Sequence, residues 1–360
     1  MGIEFKLSDR ELPASPAFIA FLDRRITGVL PPPSLWADQT REEMARGRRH
    51  GDWQASASRV MADVRGRERV ARAYSLLAAL LVGNREALLS IQSAFRFVCV
   101  TGIPRSGGSY LTAELYRSIG LDPATVPDPV AHDSFPEAGP VEGTFAADPW
   151  IDTVQTTAEY LTMVETFYAE QPRLDGKIIV PKKLTQAAYC GAFFVDVFGP
   201  DLELIITLRH PVAACLSTYE LSGGLPSGRR FAVRSNIEHW CQRDLLAAGG
   251  AHAGLGHLEY FDAYLRYWEH YHLRLATTGL GTADNVRLIA YGAGAMQAMA
   301  GGFHKRHRSD LAPAPFRVSD RAIHAHPDWL ERARPAIARV AAIWRSVGLE
   351  FPEDDIAACT

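Results

Sequence analysis

Residues 96–120 constrain this chain more than any other stretch. A β-prone run, Arg96-Phe97-Val98-Cys99-Val100-Thr101, leads at once into a turn holding Gly102, Gly107 and Gly108. A helical pattern follows over 110–119 and stops at Gly120, where a helix-ending glycine belongs. A strand that passes through a glycine turn straight into a helix opens a β-α-β arrangement, and the pattern recurs downstream. Strand signals lie at 177–180, 202–208 and 286–291, with helix signals at 152–170, 185–198, from Pro211 onward, 230–248, 258–277 and 329–347. Leu258, Phe261, Leu265, Trp268, His272 and Leu275 form a core stripe on one of these helices. Alternating strands and helices imply parallel pairing with both sheet faces covered. The expected fold is therefore α/β: a P-loop-type parallel sheet flanked by helices, occupying 95–360.

Residues 1–94 read differently, as an all-helical N-terminal extension. Ser15-Pro16 supplies a cap and a first-turn proline, and Phe18, Phe21, Leu22 and Ile26 follow at helical spacing. Pro31-Pro32-Pro33 breaks the pattern. The stretch 41–72 carries nine Arg against five acids; it reads as solvated helix surface, with an acidic partner as the alternative. A helical hairpin follows over 70–95, broken near Gly83-Asn84. The net charge of −3 argues against a chain built to grip nucleic acid. Five cysteines without Cys-x-x-Cys pairing read as reduced thiols. The polar start and an apolar run of only 74–82 predict no secretory address and no membrane span, hence a soluble, cytoplasmic protein.

The turn after the first strand is an anion cradle by construction. Consecutive backbone N–H groups and a helix N-terminus point at one place, and glycine lets a ligand approach the backbone. Against the triphosphate loop G-x-x-x-x-G-K-[S/T], Gly102, Gly107 and Ser109 fit, but Gly108 stands where the lysine belongs. Positive charge appears instead at Arg105, and the strand over 202–208 ends in Arg209, with no Asp suited to magnesium. A cradle of this kind suits a less highly charged transferable group than a triphosphate. Sulfuryl is one, since a sulfate ester carries one negative charge where a phosphate monoester carries about two.

Pro104-Arg-Ser-Gly-Gly-Ser109 resembles the 5′-phosphosulfate loop of the sulfotransferases, P-[K/R]-S-G-T-T, with Gly108 and Ser109 in place of the two threonines. Arg209-His-Pro211 with Ser217 resembles their 3′-phosphate motif, R-x-P followed by a serine eight positions after the arginine. The likeness spans about 95–300 and is densest at these two motifs. It implies an enzyme using 3′-phosphoadenosine-5′-phosphosulfate (PAPS) as co-substrate to sulfate a hydroxyl or phenol of a small molecule. It implies that Arg105, Ser106, Gly107, Gly108 and Ser109 hold the 5′-phosphosulfate, and that Arg209 and Ser217 share the 3′-phosphate. The family also places a lysine or histidine near the transferring group, which matches Lys182 and Lys183 without choosing between them. Its general base is a His or carboxylate; His132 comes first, with Asp133 and Glu137 behind it. Of a family Tyr-Glu-Asp-Leu motif near the adenine only Tyr291 carries over.

Unaided by the resemblance, Arg209 emerges at the end of a buried strand, where open α/β sheets place ligands, and Pro211 opens a helix whose amides favour an anion. Tyr260, Tyr264, Tyr267 and Tyr271 read as core edge or as the lining of an acceptor pocket. His304-Lys-Arg-His-Arg308 reads as basic surface. No histidine pair has an acidic or thiol partner at metal spacing, so no metal is expected. The rivals are a nucleotide-dependent kinase with a degenerate loop and a non-catalytic nucleotide-binding module; a homo-oligomer is compatible with all three.

Overall fold

The computed structural model describes residues 14–29, 50–132, 149–169, 176–221, 223–232, 238, 241–242, 244, 256–280, 286–318 and 323–358. Asp133 and Glu137, and most of the helix expected over 230–248, lie outside the described residues. The chain divides into two compact units. One comprises Met1–Leu89, Ala124–Val130 and Ser134–Glu170; the other comprises Ser90–Pro123, Ala131–Asp133 and Gln171–Thr360.

The first unit is helical: α1 (Pro16–Thr27), α2 (His50–Ala62), α3 (Val64–Leu81), the start of α4 (Glu86–Ala94), and α6 (Pro149–Phe167). It thus takes a helix from mid-chain as well as the N-terminal ones. Ser15 caps α1 through its Oγ, which accepts from Phe18 N, while Ser15 N donates to the buried Glu159 carboxylate at 2.8 Å. Phe18, Ile19, Phe21 and Leu22 face inward. Two residues of the arginine-rich stretch are ion-paired within this unit. Arg59 donates through Nε and Nη2 to Asp23 (2.8 and 2.6 Å), and Arg72 grips Glu165. The Asp23 carboxyl is held below its usual pKa range chiefly by the Arg59 hydrogen bond.

The second unit is α/β, as the strand–helix alternation predicts. β1 (Phe95–Gly102), β2 (Ile178–Lys183), β3 (Glu203–Leu208) and β4 (Val286–Ala290) form a parallel sheet in the order β2-β1-β3-β4. The chain leaves β1 to one side for β2 and returns to the other side for β3, which creates a switch point at the carboxyl end of β1. Register carries the consequence: Val100 pairs with Lys183, Gly102 with Thr207, and Leu208 with Ala290. The loop after β1, the end of β2, Arg209 and Tyr291 therefore lie together at the carboxyl end of the sheet.

The helices of this unit include α5 (Gly108–Ser118), α7 (Gly191–Phe198), α8 (Pro211–Leu221), α9 (Tyr260–Thr277), α10 (Ala293–Arg306), α11 (Pro327–Ser346) and α12 (Glu353–Ala358). The helix expected over 185–198 is interrupted: a 3-10 turn, Thr185–Ala188, precedes α7. Gly191, which opens α7, lies where a Cβ would come within 2.5 Å of Thr278 Oγ1. Helix α10 has no counterpart in the sequence reading, because its glycines (Gly294, Gly301, Gly302) depress helix propensity. Packing overrides that: Met296 and Phe303 join Leu111 and Leu115 of α5 in one buried cluster with Val98, Val100 and Ile205. The basic surface expected at 304–308 is accordingly divided. His304 is buried against Glu114 of α5 at 3.2 Å, and Arg306 pairs with the buried Glu203.

Most of both stripes on α9 is buried, with Leu265 and Tyr260 partly exposed, so three of its four tyrosines take a core role. Tyr264, Tyr267 and Tyr271 are at most 4% exposed, and the Tyr271 hydroxyl donates to Thr185 O at 2.6 Å. His272 is fully buried between Trp268 and Tyr271, and neither ring nitrogen has a hydrogen-bond partner among the described residues. Burial pushes its pKa down to about 3. The unfolded chain, with an ordinary histidine, takes up a proton first as pH falls, so this group's contribution is full above about pH 6.5 and erodes below it. Between pH 7 and pH 5 the loss is about 2 kcal/mol. His272→Phe is expected to shrink the pH 7-to-5 drop in unfolding free energy by that amount in urea titrations; an unchanged drop refutes it.

Candidate functional site

Glycine conformation shapes the loop. Gly102 (φ 144°) and Gly107 (φ 91°) take backbone angles that side chains resist, and Arg105 at φ 69° is a non-glycine residue in the left-handed region. The turn is tied from below. Ser106 is buried, and its Oγ meets Ile103 O at 2.6 Å and Thr207 Oγ1 at 2.7 Å; Thr207 Oγ1 also donates to Thr101 O at 3.0 Å. The Ser106 hydroxyl thus braces the turn underneath. Gly107 caps α5, whose first amides, at Gly108, Ser109 and Tyr110, have no carbonyl one turn earlier to bond. They and the positive end of the helix dipole face the place an anion would occupy.

The second motif comes directly to this loop. The Arg209 guanidinium, 2% exposed, donates from Nη1 to Arg105 O at 2.7 Å, and Arg105 Nε donates to Ser217 Oγ at 3.3 Å. Ser217 lies within α8, almost wholly buried, and having accepted from Arg105 it retains its own proton to donate. Trp268 Nε1 fixes the Arg209 carbonyl at 3.0 Å. His210, between Arg209 and Pro211, accepts at Nδ1 from Val212 N (3.2 Å) and so caps the start of α8. Burial drives its pKa down to about 4, so it stays neutral at pH 7.

Lys182 and Lys183 part company at the end of β2, as alternation on a strand requires. Lys182 is buried and donates to His132 O at 2.5 Å. Lys183 turns toward the loop: its Cε lies 3.5 Å from where a Cβ on residue 108 would stand. The position that lacks its own lysine is thus approached by a lysine from the neighbouring strand. Lys183 Nζ also sits 3.1 Å from His132 Nε2, a contact in which the ammonium donates and the imidazole accepts. Of the candidates for acid–base chemistry, His132 and Lys183 are therefore together beside the loop.

Tyr291 also meets both motifs. The Arg209 guanidinium lies over its ring, 4.0 Å from the centroid, and a Cβ on Gly107 would come within 3.3 Å of its Cδ2. The ring is 6% exposed. The sequence reading does not single out Thr207 or His210, and it places Trp268 only in the core stripe. The threonine does carry a signal, a polar residue within the apolar run Leu204-Ile205-Ile206-Thr207-Leu208, while the tryptophan's role follows only from the approach of α9. No protein-family model matches the chain, and no curated protein sequence matches it either.

Proposed function

We propose that the protein is a sulfotransferase that moves a sulfuryl group from 3′-phosphoadenosine-5′-phosphosulfate to a hydroxyl or phenol of a small molecule. The observation that supports this most is the direct linkage of the two motifs, Arg209 to Arg105 O and Arg105 to Ser217 Oγ. One ligand carrying an anion at each end would engage both. In this reading the amides of Gly107, Gly108 and Ser109, with Arg105, hold the 5′-phosphosulfate. Arg209 and the Ser217 hydroxyl hold the 3′-phosphate.

The acceptor oxygen attacks sulfur, forming the new S–O bond as the bond from sulfur to the bridging oxygen breaks. That electron pair leaves on the 5′-phosphate of adenosine 3′,5′-bisphosphate. Lys183, beside position 108, meets the charge developing on the bridging oxygen; His132 Nε2, once it exchanges the Lys183 ammonium for the acceptor hydroxyl, takes the acceptor's proton. Titration calorimetry with adenosine 3′,5′-bisphosphate tests the donor site. Binding is expected in wild type, weakened by about 10–150-fold in Arg209→Ala, the cost of 1.5–3 kcal/mol of charged hydrogen bonds. Equal affinity removes Arg209 from the site, and no binding to wild type refutes the reading.

The approach of Lys183 favours one rival. It restores beside residue 108 the charge that the loop lacks, as phosphoryl transfer requires. Magnesium-dependent ATP turnover, with no sulfate transfer, selects that reading.

A further inference from the structure

We propose that Tyr291 acts on the donor through Arg209, as the platform that sets the guanidinium for the 3′-phosphate, and that Phe316 holds this platform in place. The inference rests on the sulfotransferase reading and assigns within it a positioning role distinct from a contact with adenine. The ring of Tyr291 is already engaged. Its face carries the Arg209 guanidinium, its edge lies against Gly107, and Phe316 packs against it edge-on, with centroids 5.2 Å apart at 77°. Its backbone is fixed as well, since Tyr291 N donates to Leu208 O at 2.7 Å, extending the β3–β4 pairing past the last strand residue.

Phe316 belongs to a segment pinned along its length. Its N–H donates to Gln297 Oε1 at 2.8 Å, and its ring lies 4.8 Å from that of Tyr110. Two residues earlier, Ala314 O accepts from Tyr110 Oη (2.7 Å) and Gln297 Nε2 (3.1 Å), while Ala314 N donates to Glu114 at 3.2 Å. A line of contacts therefore runs Phe316–Tyr291–Arg209, edge-to-face and then cation over ring, anchored on α5 and α10 and touching the loop at Gly107. Arginine pairs with phosphate through a planar fork, so affinity depends on the orientation of the plane as well as on the charge. A ring 4.0 Å from the guanidinium carbon, backed by a second aromatic, limits where the guanidinium can move before ligand arrives, and a pre-set group loses less freedom on binding.

The test compares two ligands, adenosine 3′,5′-bisphosphate and adenosine 5′-monophosphate, by calorimetry on wild type, Tyr291→Phe, Tyr291→Leu and Phe316→Leu. Tyr291→Phe keeps the ring and is expected to bind both ligands within about twofold of wild type. Tyr291→Leu is expected to weaken the bisphosphate by about 3–30-fold, the range of a cation–π contact, with the monophosphate unchanged. Phe316→Leu, further from the charge, is expected to lower only the bisphosphate, by less. Equal weakening of both ligands in Tyr291→Leu assigns the ring to adenine and overturns the proposal, as does unchanged bisphosphate affinity in both leucine variants. Wild type that binds neither ligand refutes the donor site itself, a separate result.

Discussion

Under the proposed sulfotransferase reading, Lys183→Met is expected to lower sulfuryl transfer by about 10²–10³-fold, the usual cost of deleting one group aimed at developing charge. Affinity for the intact donor is expected to fall by less than about tenfold by calorimetry, because the bridging oxygen carries little charge until its bond to sulfur breaks. The choice of Lys183 over Lys182 follows from the strand. Adjacent side chains on β2 leave opposite faces, and only Lys183 has its Cε 3.5 Å from the Cβ position of residue 108. Lys182 is 1% exposed with its ammonium on His132 O, so its loss would act on the placement of His132. A Lys183→Met variant with single-turnover rates within threefold of wild type overturns the assignment. One that loses rate and donor affinity in equal proportion assigns the lysine to ground-state binding instead. Methionine preserves most of the apolar stem of lysine, so the loss reports on charge more than on packing.

The parts of the site legible in the sequence are those that sit next to a strand end. Glycines after an apolar run, a proline opening the next helix, and an arginine between them each have a local cause, and β1, β3, α5 and α8 all form where those signals lie. Contact between Arg105 and Ser217, 112 residues apart in sequence, had no local signal. It follows from the parallel pairing of Gly102 with Thr207, which only the assembled sheet supplies. The choice between two adjacent lysines was open for the same reason, since a short strand with both termini uncertain by a residue does not fix which side chain faces the loop. Helix α10 escaped notice because its small residues weaken the periodic signal, and they take on meaning only against Leu111 and Leu115. Tyr291 was legible as a residue but not as a support, because its partner Arg209 arrives from another strand.

Gly102→Ala is expected to destabilise the α/β unit by about 3 kcal/mol or more, from two costs that add. One is conformational: at φ 144° an L side chain crowds its own backbone. The other is contact: the new Cβ would stand 2.3 Å from Thr207 Oγ1, 2.5 Å from Thr207 O and 2.8 Å from Ser106 Oγ. A hydroxyl can rotate away, but the carbonyl belongs to β3 and is fixed by register, so β1 and β3 must separate at the point where the loop begins. A fall in thermal midpoint of about 6–12 °C is expected by calorimetry, scaled from domains of comparable size. Gly102→Ala/Thr207→Ala should recover nothing, since the carbonyl contact remains and the buried bonds of the Thr207 hydroxyl to Thr101 O and Ser106 Oγ are lost as well. Gly108→Ala serves as the contrast. Residue 108 is helical, and its Cβ would meet Lys183 Cε at 3.5 Å and Val100 Cγ1 at 3.6 Å, ordinary contact distances. It should melt within about 2 °C of wild type, because the lost unfolded-state freedom of glycine offsets any crowding. If Gly102→Ala melts as high as Gly108→Ala, then close approach of β3 is not what requires a glycine at the start of the loop.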